Sequence, residues 1–227
     1  MSKADYSRLE TFEFDGFHFF MLDTRTKRMH RKVDPGLANA KLVSSRAMVG
    51  LKDWLVRAPG PKFVVTPSML LPRHRRGVQR DRSLDPSNLG AVHSDGWDGY
   101  PNTLREVLAY IAATKIHQVV FLSGDEHRAC ITRVQLFDGA GNPPTSVHSV
   151  HTAAMYAPYP FANSLDEDIV TNETIEIHHC SGNYRCVVSA TRPPPGDGAT
   201  YLFVRKVGAK WLLDCDFADG KVQTLTL

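Results

Sequence analysis

Hydrophobic and polar positions along this chain fall into short blocks with two different periods. Phe17–Leu22 (FHFFML) is an aromatic-rich apolar run, too short for a helix, and predicts a buried strand. The charged string from Asp23 to Lys32 closes it. Leu51, Trp54 and Leu55 recur at i, i+3 and i+4 and predict a helix over 51–58, ended by Pro59-Gly60-Pro61. Lys62–Thr66 (KFVVT) predicts a second buried strand, closed by Pro67. Leu104, Val107, Leu108 and Ile111 share one helical face, so 103–114 predicts a second helix. Thr103 and Glu106 have the spacing of a capping box, with Pro101 just outside it. Gln118–Leu122 (QVVFL) is the third apolar strand, and it runs into Ser123-Gly124-Asp125-Glu126-His127.

This alternation of strand and helix implies an α/β fold, a largely parallel sheet with helices on its faces. The pattern changes after residue 128. Segments 129–137, 199–207, 210–217 and 221–227 look like antiparallel strands, with Gly-Asp and Asp-Gly turns around the later ones. Residues 138–198 are rich in Pro, Asn and Asp, contain Pro193-Pro194-Pro195-Gly196, and read as a long loop. The expected division is therefore an α/β domain over 1–137 and a loop-rich segment with carboxy-terminal β-strands, packed on it, over 138–227.

Composition narrows the class. The chain has 227 residues, 42% of them hydrophobic, enough for a buried core in one domain or a domain with a small appendage. Glycine and proline are near average abundance, which argues against a collagenous or disordered chain. No run of about 18 apolar residues occurs, so no membrane helix is expected. Residues 1–16 show no apolar signal region, so the expected compartment is the cytoplasm. A net charge of +3 is too weak to imply nucleic-acid binding. Five arginines between Arg73 and Arg82 read as a solvated loop, or as a basic lip that attracts anionic substrates. Cys130, Cys180, Cys186 and Cys215 read mostly as buried thiols; Cys180 and Cys186 have hairpin spacing for a disulfide if the protein is exported.

Ligands of open parallel sheets bind beyond the carboxyl ends of the strands. There the sequence places Asp23 and Arg25 after the first strand, and Asp125 and His127 after the third. The loop ahead of the third strand carries Asp95, Asp98 and Tyr100 (SDGWDGY), with Trp97 as a pocket-lining or packing residue. A carboxylate and an imidazole two residues apart suit a hard or borderline divalent ion. Two such ions can clamp the attacking and leaving oxygens of a phosphoryl transfer. Arg25 can hold a phosphate as a bidentate donor, or pair with Asp23 to fix the loop. His148-x-x-His151 lies in the apparent loop without a nearby carboxylate, and His178-His179 ends an alternating stretch where neighbours face opposite ways. Neither a Gly-x-Ser-x-Gly elbow nor a phosphate-cradling Walker loop occurs.

Taken together, FFMLDTRTKR (19–28), the WL…KFVVTPSMLLP stretch (54–72), SDGWDGYP (94–101) and VVFLSGDEHRA (119–129) resemble the alkaline phosphatase D (PhoD-like) family of metallophosphatases. YAPYPFAN (156–163) fits more loosely. The resemblance implies a calcineurin-like metallophosphatase sandwich, present in part, with four α/β layers. It implies hydrolysis of phosphate mono- or diesters at a multinuclear centre of divalent or ferric ions (Ca, Fe, Mn or Zn). Gly124-Asp125-Glu126-His127 resembles the last ligand block, making Asp125 and His127 metal ligands. Asp23, Arg25, Asp95 and Asp98 would lie at or near the substrate pocket. The family's earlier acidic blocks have no counterpart in residues 1–16. The chain thus resembles the carboxy-terminal portion of such an enzyme, its site incomplete unless a second copy or an amino-terminal half supplies the rest. The competing expectation is a non-catalytic relative acting as an interaction module.

Overall fold

The computed structural model describes residues 10–29, 40–74, 96–124, 129–152, 169–191, 200–217 and 220–227. The first element is a hairpin of β1 (Thr11–Phe14) and β2 (Phe17–Met21). Asp15 (φ 51°) and Gly16 (φ 75°) both adopt the left-handed conformation that a two-residue hairpin turn requires. β1 adds to the elements predicted above; its sequence signal is the Asp-Gly pair.

Helix α1 spans Ser45–Arg57 and starts earlier than the apolar spacing indicated. Ser44 accepts a hydrogen bond from the Ala47 amide and caps it, and Met48 extends the buried stripe of Leu51 and Leu55. β3 (Lys62–Val65) follows, and α2 (Pro101–Thr114) comes after a short 3₁₀ turn at Trp97–Gly99. The expected capping box at Thr103 does not form. Pro101, at the first helical position, starts the helix, because its fixed φ suits that place and no amide is needed there. Thr103 instead accepts a hydrogen bond from the Leu42 amide at 3.1 Å, and Glu106 pairs with Lys52 at 2.7 Å.

β4 (Val119–Ser123) and β5 (Cys130–Phe137) match the reading above. Residues 138–198 do not read true as a loop: they hold β6 (Thr145–His151), β7 (Asn172–His179) and β8 (Gly182–Thr191). β6 is buried on both faces, so it shows no alternation, and its Ser and His residues conceal it. β9 (Tyr201–Val207), β10 (Lys210–Phe217) and β11 (Lys221–Thr226) form the expected antiparallel meander.

The main sheet is mixed, in the order β1-β2-β3-β4-β6-β5-β8-β7. β2, β3, β4 and β6 run parallel, with their carboxyl ends in register. β6 comes from beyond residue 137 yet lies between β4 and β5, so one sheet gathers strands from residue 11 to residue 191. One face (Phe20, Val64, Phe121, Val147) packs on Leu51, Leu55, Leu104, Leu108 and Ile111 of the two helices. The other face (Phe63, Val120, Ile131, Val150) packs on Leu213, Cys215 and Phe217 of β10. Each fully buried side chain of this size is worth about 1.5–3 kcal/mol. The described residues thus make three layers: helices, mixed sheet, second sheet.

All four cysteines are free thiols. Cys186 stands opposite Ile175 while Cys180 lies in the β7–β8 turn, so the hairpin disulfide does not form. No described helix is long and apolar enough to cross a membrane.

Candidate functional site

The four parallel strands end on one rim, and a cavity of about 540 Å³ opens there. β2 and its following loop supply Met21, Leu22 and Arg25; β3 supplies Val65 and leads to Thr66 and Pro67. β4 supplies Leu122 and Ser123 and leads to Gly124, Thr152 follows β6, and Leu202 reaches in from β9.

Each strand end turns in a way its own residues dictate. The Leu22 amide bonds to the Val65 carbonyl at 2.8 Å, carrying the β2–β3 ladder one step further. Asp23 is exposed and folds back on its own loop: its carboxylate accepts the Arg25 amide at 3.0 Å, the Thr26 amide at 2.8 Å and the Thr26 hydroxyl. Burial alone would push the Asp23 carboxyl up. The Thr26 and Arg25 hydrogen bonds and the charge of Lys27 outweigh that and hold it below the usual carboxylate range. Thr24 is fully buried, its hydroxyl 3.1 Å from that of Ser68. These two anchors fix the loop that carries Arg25 to the cavity, while Asp23 is not among the lining residues.

The loop after β3 is held from the opposite side. Thr66 donates to the Ser68 carbonyl and accepts from the Trp97 indole nitrogen, both at 3.1 Å. Trp97 is fully buried edge-on to Phe121, so it packs and orients Thr66 and does not line the cavity. Tyr100 likewise packs, its hydroxyl donating to the Met29 carbonyl at 3.2 Å. Asp98 is buried and accepts the His74 amide at 3.2 Å, away from the cavity lining. Arg73, at the start of the arginine-rich stretch, belongs to no basic lip. It is buried and bound through both nitrogens of its fork to Glu173 of β7, at 2.9–3.2 Å. The other four arginines lie outside the described residues.

At the third strand end, the Thr152 amide donates to the Ser123 carbonyl at 2.9 Å. The Ser123 hydroxyl lies 2.8 Å from His151 Nδ1. The chain then passes Gly124 at the rim into residues 125–128. Asp125 and His127, like Asp95, lie outside the described residues. His148 and His151, read above as lying in a loop without a nearby carboxylate, are both buried in β6 and face opposite sides of the sheet.

Among the described residues, no three His, Cys, Asp or Glu side chains converge as a metal centre requires. The described donors do not make up such a centre by themselves. The contacts they do make are an arginine at the cavity and a set of hydroxyls at the strand ends. Thr24, Thr66 and Ser123 lie where apolar runs end, a signal readable in the sequence; His151 was read only as half of a histidine pair in an apparent loop, and Leu202 only as part of a later strand.

Residues 9–192 match the family model of the PhoD-like phosphatases, and the chain belongs to that family. The solved structure of PhoD aligns with it at 15% identity and a TM-score of 0.48, covering 95% of this chain and 40% of that one. The chain therefore spans about 40% of that structure's length. No curated protein matches it.

Proposed function

We propose that the rim cavity binds a phosphate ester and that the chain serves metal-dependent phosphoester hydrolysis of the PhoD-like kind. Arg25 carries this reading: it brings a guanidinium to a cavity at the carboxyl ends of parallel strands, in a chain of a phosphatase family. In this reading the helices and two sheets are part of a calcineurin-like sandwich. Asp125 and His127, which continue the chain from the rim at Gly124, are its metal ligands, for Ca, Fe, Mn or Zn. Asp23 and Asp98 contribute by shaping the loops around the phosphate, and Asp95 belongs to the same rim. A second copy or an amino-terminal half supplies the remaining ligands.

The test is hydrolysis of p-nitrophenyl phosphate and its bis ester after metal addition, alongside metal content. Hydrolysis that falls at least a hundredfold in Arg25→Met, and bound metal that is lost in His127→Ala, support the reading. No bound metal and no turnover of either ester would sink the reading of this chain, alone or as an oligomer, as an active enzyme.

The outer face of the second sheet favours an alternative, an interaction module. Tyr201, Phe203, Val207 and Val222 are each more than half exposed there. Inert, metal-free protein that forms a stable complex lost on Phe203→Ser would establish that reading instead.

A further inference from the structure

The rim cavity is larger than an anion needs, and most of its described lining is apolar. Its volume of about 540 Å³ falls in the range that takes a whole small organic molecule. Arg25 is the one charged side chain among the described lining residues. The hydroxyls beside it are engaged within the protein: Thr66 with Trp97 and Ser68, Ser123 with His151, and Thr152 with the Ser123 carbonyl. The rest of the lining is dominated by Met21, Leu22, Val65, Pro67, Leu122 and Leu202. Met21 and Leu202 belong to different sheets and meet at this one cavity. Leu202 also lies beyond residues 9–192, so part of the wall comes from outside the family-matched segment.

The geometry points to a phosphate ester whose alcohol part is a compact alkyl or aryl group, its anion on Arg25 and its apolar part against Met21 and Leu202. This deepens the phosphoester reading and rests on it. A sugar or polyol in the same place would set hydroxyls against the apolar side chains of Met21 and Leu202, which costs binding. An apolar group loses nothing there and gains by leaving water.

Titration calorimetry on the full 227-residue chain, with and without added calcium and manganese, tests this with non-hydrolysable probes. Methylphosphonate, butylphosphonate and 3-hydroxypropylphosphonate share the anion and differ only in the tail. The expected result is butylphosphonate binding about tenfold or more tightly than methylphosphonate, as partial burial of three further methylenes provides, and about tenfold or more tightly than 3-hydroxypropylphosphonate, whose terminal hydroxyl would have to leave water. Met21→Ser and Leu202→Ser should each shrink that ratio toward one, and Arg25→Met should weaken all three probes. Methylphosphonate binding with no butyl preference overturns the inference and leaves the phosphate reading standing. Binding of none of the three overturns both. A butyl preference unchanged in both serine variants places the tail elsewhere and overturns the inference. So does a chain that fails to bind butylphosphonate and sediments as a dimer dispersed by Met21→Ser, because the wall is then a subunit contact.

Discussion

The Ser123 hydroxyl, at the end of β4, lies 2.8 Å from Nδ1 of His151, at the end of the neighbouring parallel strand β6. The two residues are register partners, so one side-chain hydrogen bond joins two strand ends where the cavity begins. Both are buried, which makes the loss of a partner costly. Ser123→Ala should lower stability by about 1–3 kcal/mol. Urea unfolding checks this, and a change under about 0.5 kcal/mol would show that the bond contributes little.

Arg73 and Glu173 form a buried ion pair, their side chains only 4% and 5% exposed. It ties the chain beyond β3 to the edge strand β7. Removing one partner strands the other charge away from water. Arg73→Met or Glu173→Leu alone should therefore cost about 3–5 kcal/mol. The double variant should recover most of that loss. A double-mutant cycle measures it, and additive single costs would refute the coupling.

His148 sits between the sheets, 2% exposed, with no hydrogen-bond partner for Nδ1 among the described residues. Burial, reinforced by the charge of Arg133, pushes its pKa down to about 4 from 6.5. Above pH 6.5 it is neutral in both folded and unfolded chains, and stability is at its full value. Between 6.5 and 4 the unfolded chain takes up a proton that the folded one refuses, so stability falls as pH falls. The loss due to this residue should reach about 2–3 kcal/mol near pH 4.5. Urea unfolding at pH 7.5 and 4.5 should show a larger drop for the native chain than for His148→Leu. Equal drops would mean that His148 is not the source.

The thiols differ sharply in access. Cys130, Cys186 and Cys215 are buried, whereas Cys180 is exposed. Burial pushes the Cys215 thiol up to about 12 and the Cys186 thiol higher still. A thiol reagent should therefore titrate about one fast equivalent in native protein and all four after unfolding. Cys180→Ser should abolish the fast phase. A fast phase that survives would show that a buried thiol is reached without unfolding.

Much of the site's address was legible before its construction was. β3 and β4 announce themselves because a strand buried on both faces is nearly apolar throughout, as Val119–Phe121 is, and β2 does so by its run of aromatic residues. A parallel sheet sends its chemistry to the strand ends, and Arg25 could be placed there from the sequence. The rest of the rim could not. β6 (TSVHSVH) has only two valines, and it is a central strand because it pairs with both β4 and β5 between two covering layers, which leaves both histidines and Ser149 buried. Thr103 looked like a helix cap, yet its hydroxyl serves Leu42, a residue far away along the chain.

The sequence by itself determined the apolar runs, the two helices, the turns and the polar residues that close each strand, because those follow from local periodicity and backbone preference. The tertiary structure alone decided which strand ends became neighbours. It joined Ser123 to His151 and Arg73 to Glu173, and it brought Leu202 from the second sheet to the cavity that Met21 also lines. The physical reason is the range of the interaction: periodicity reports whether a residue is buried, but a buried side chain's partner is set by register between distant segments.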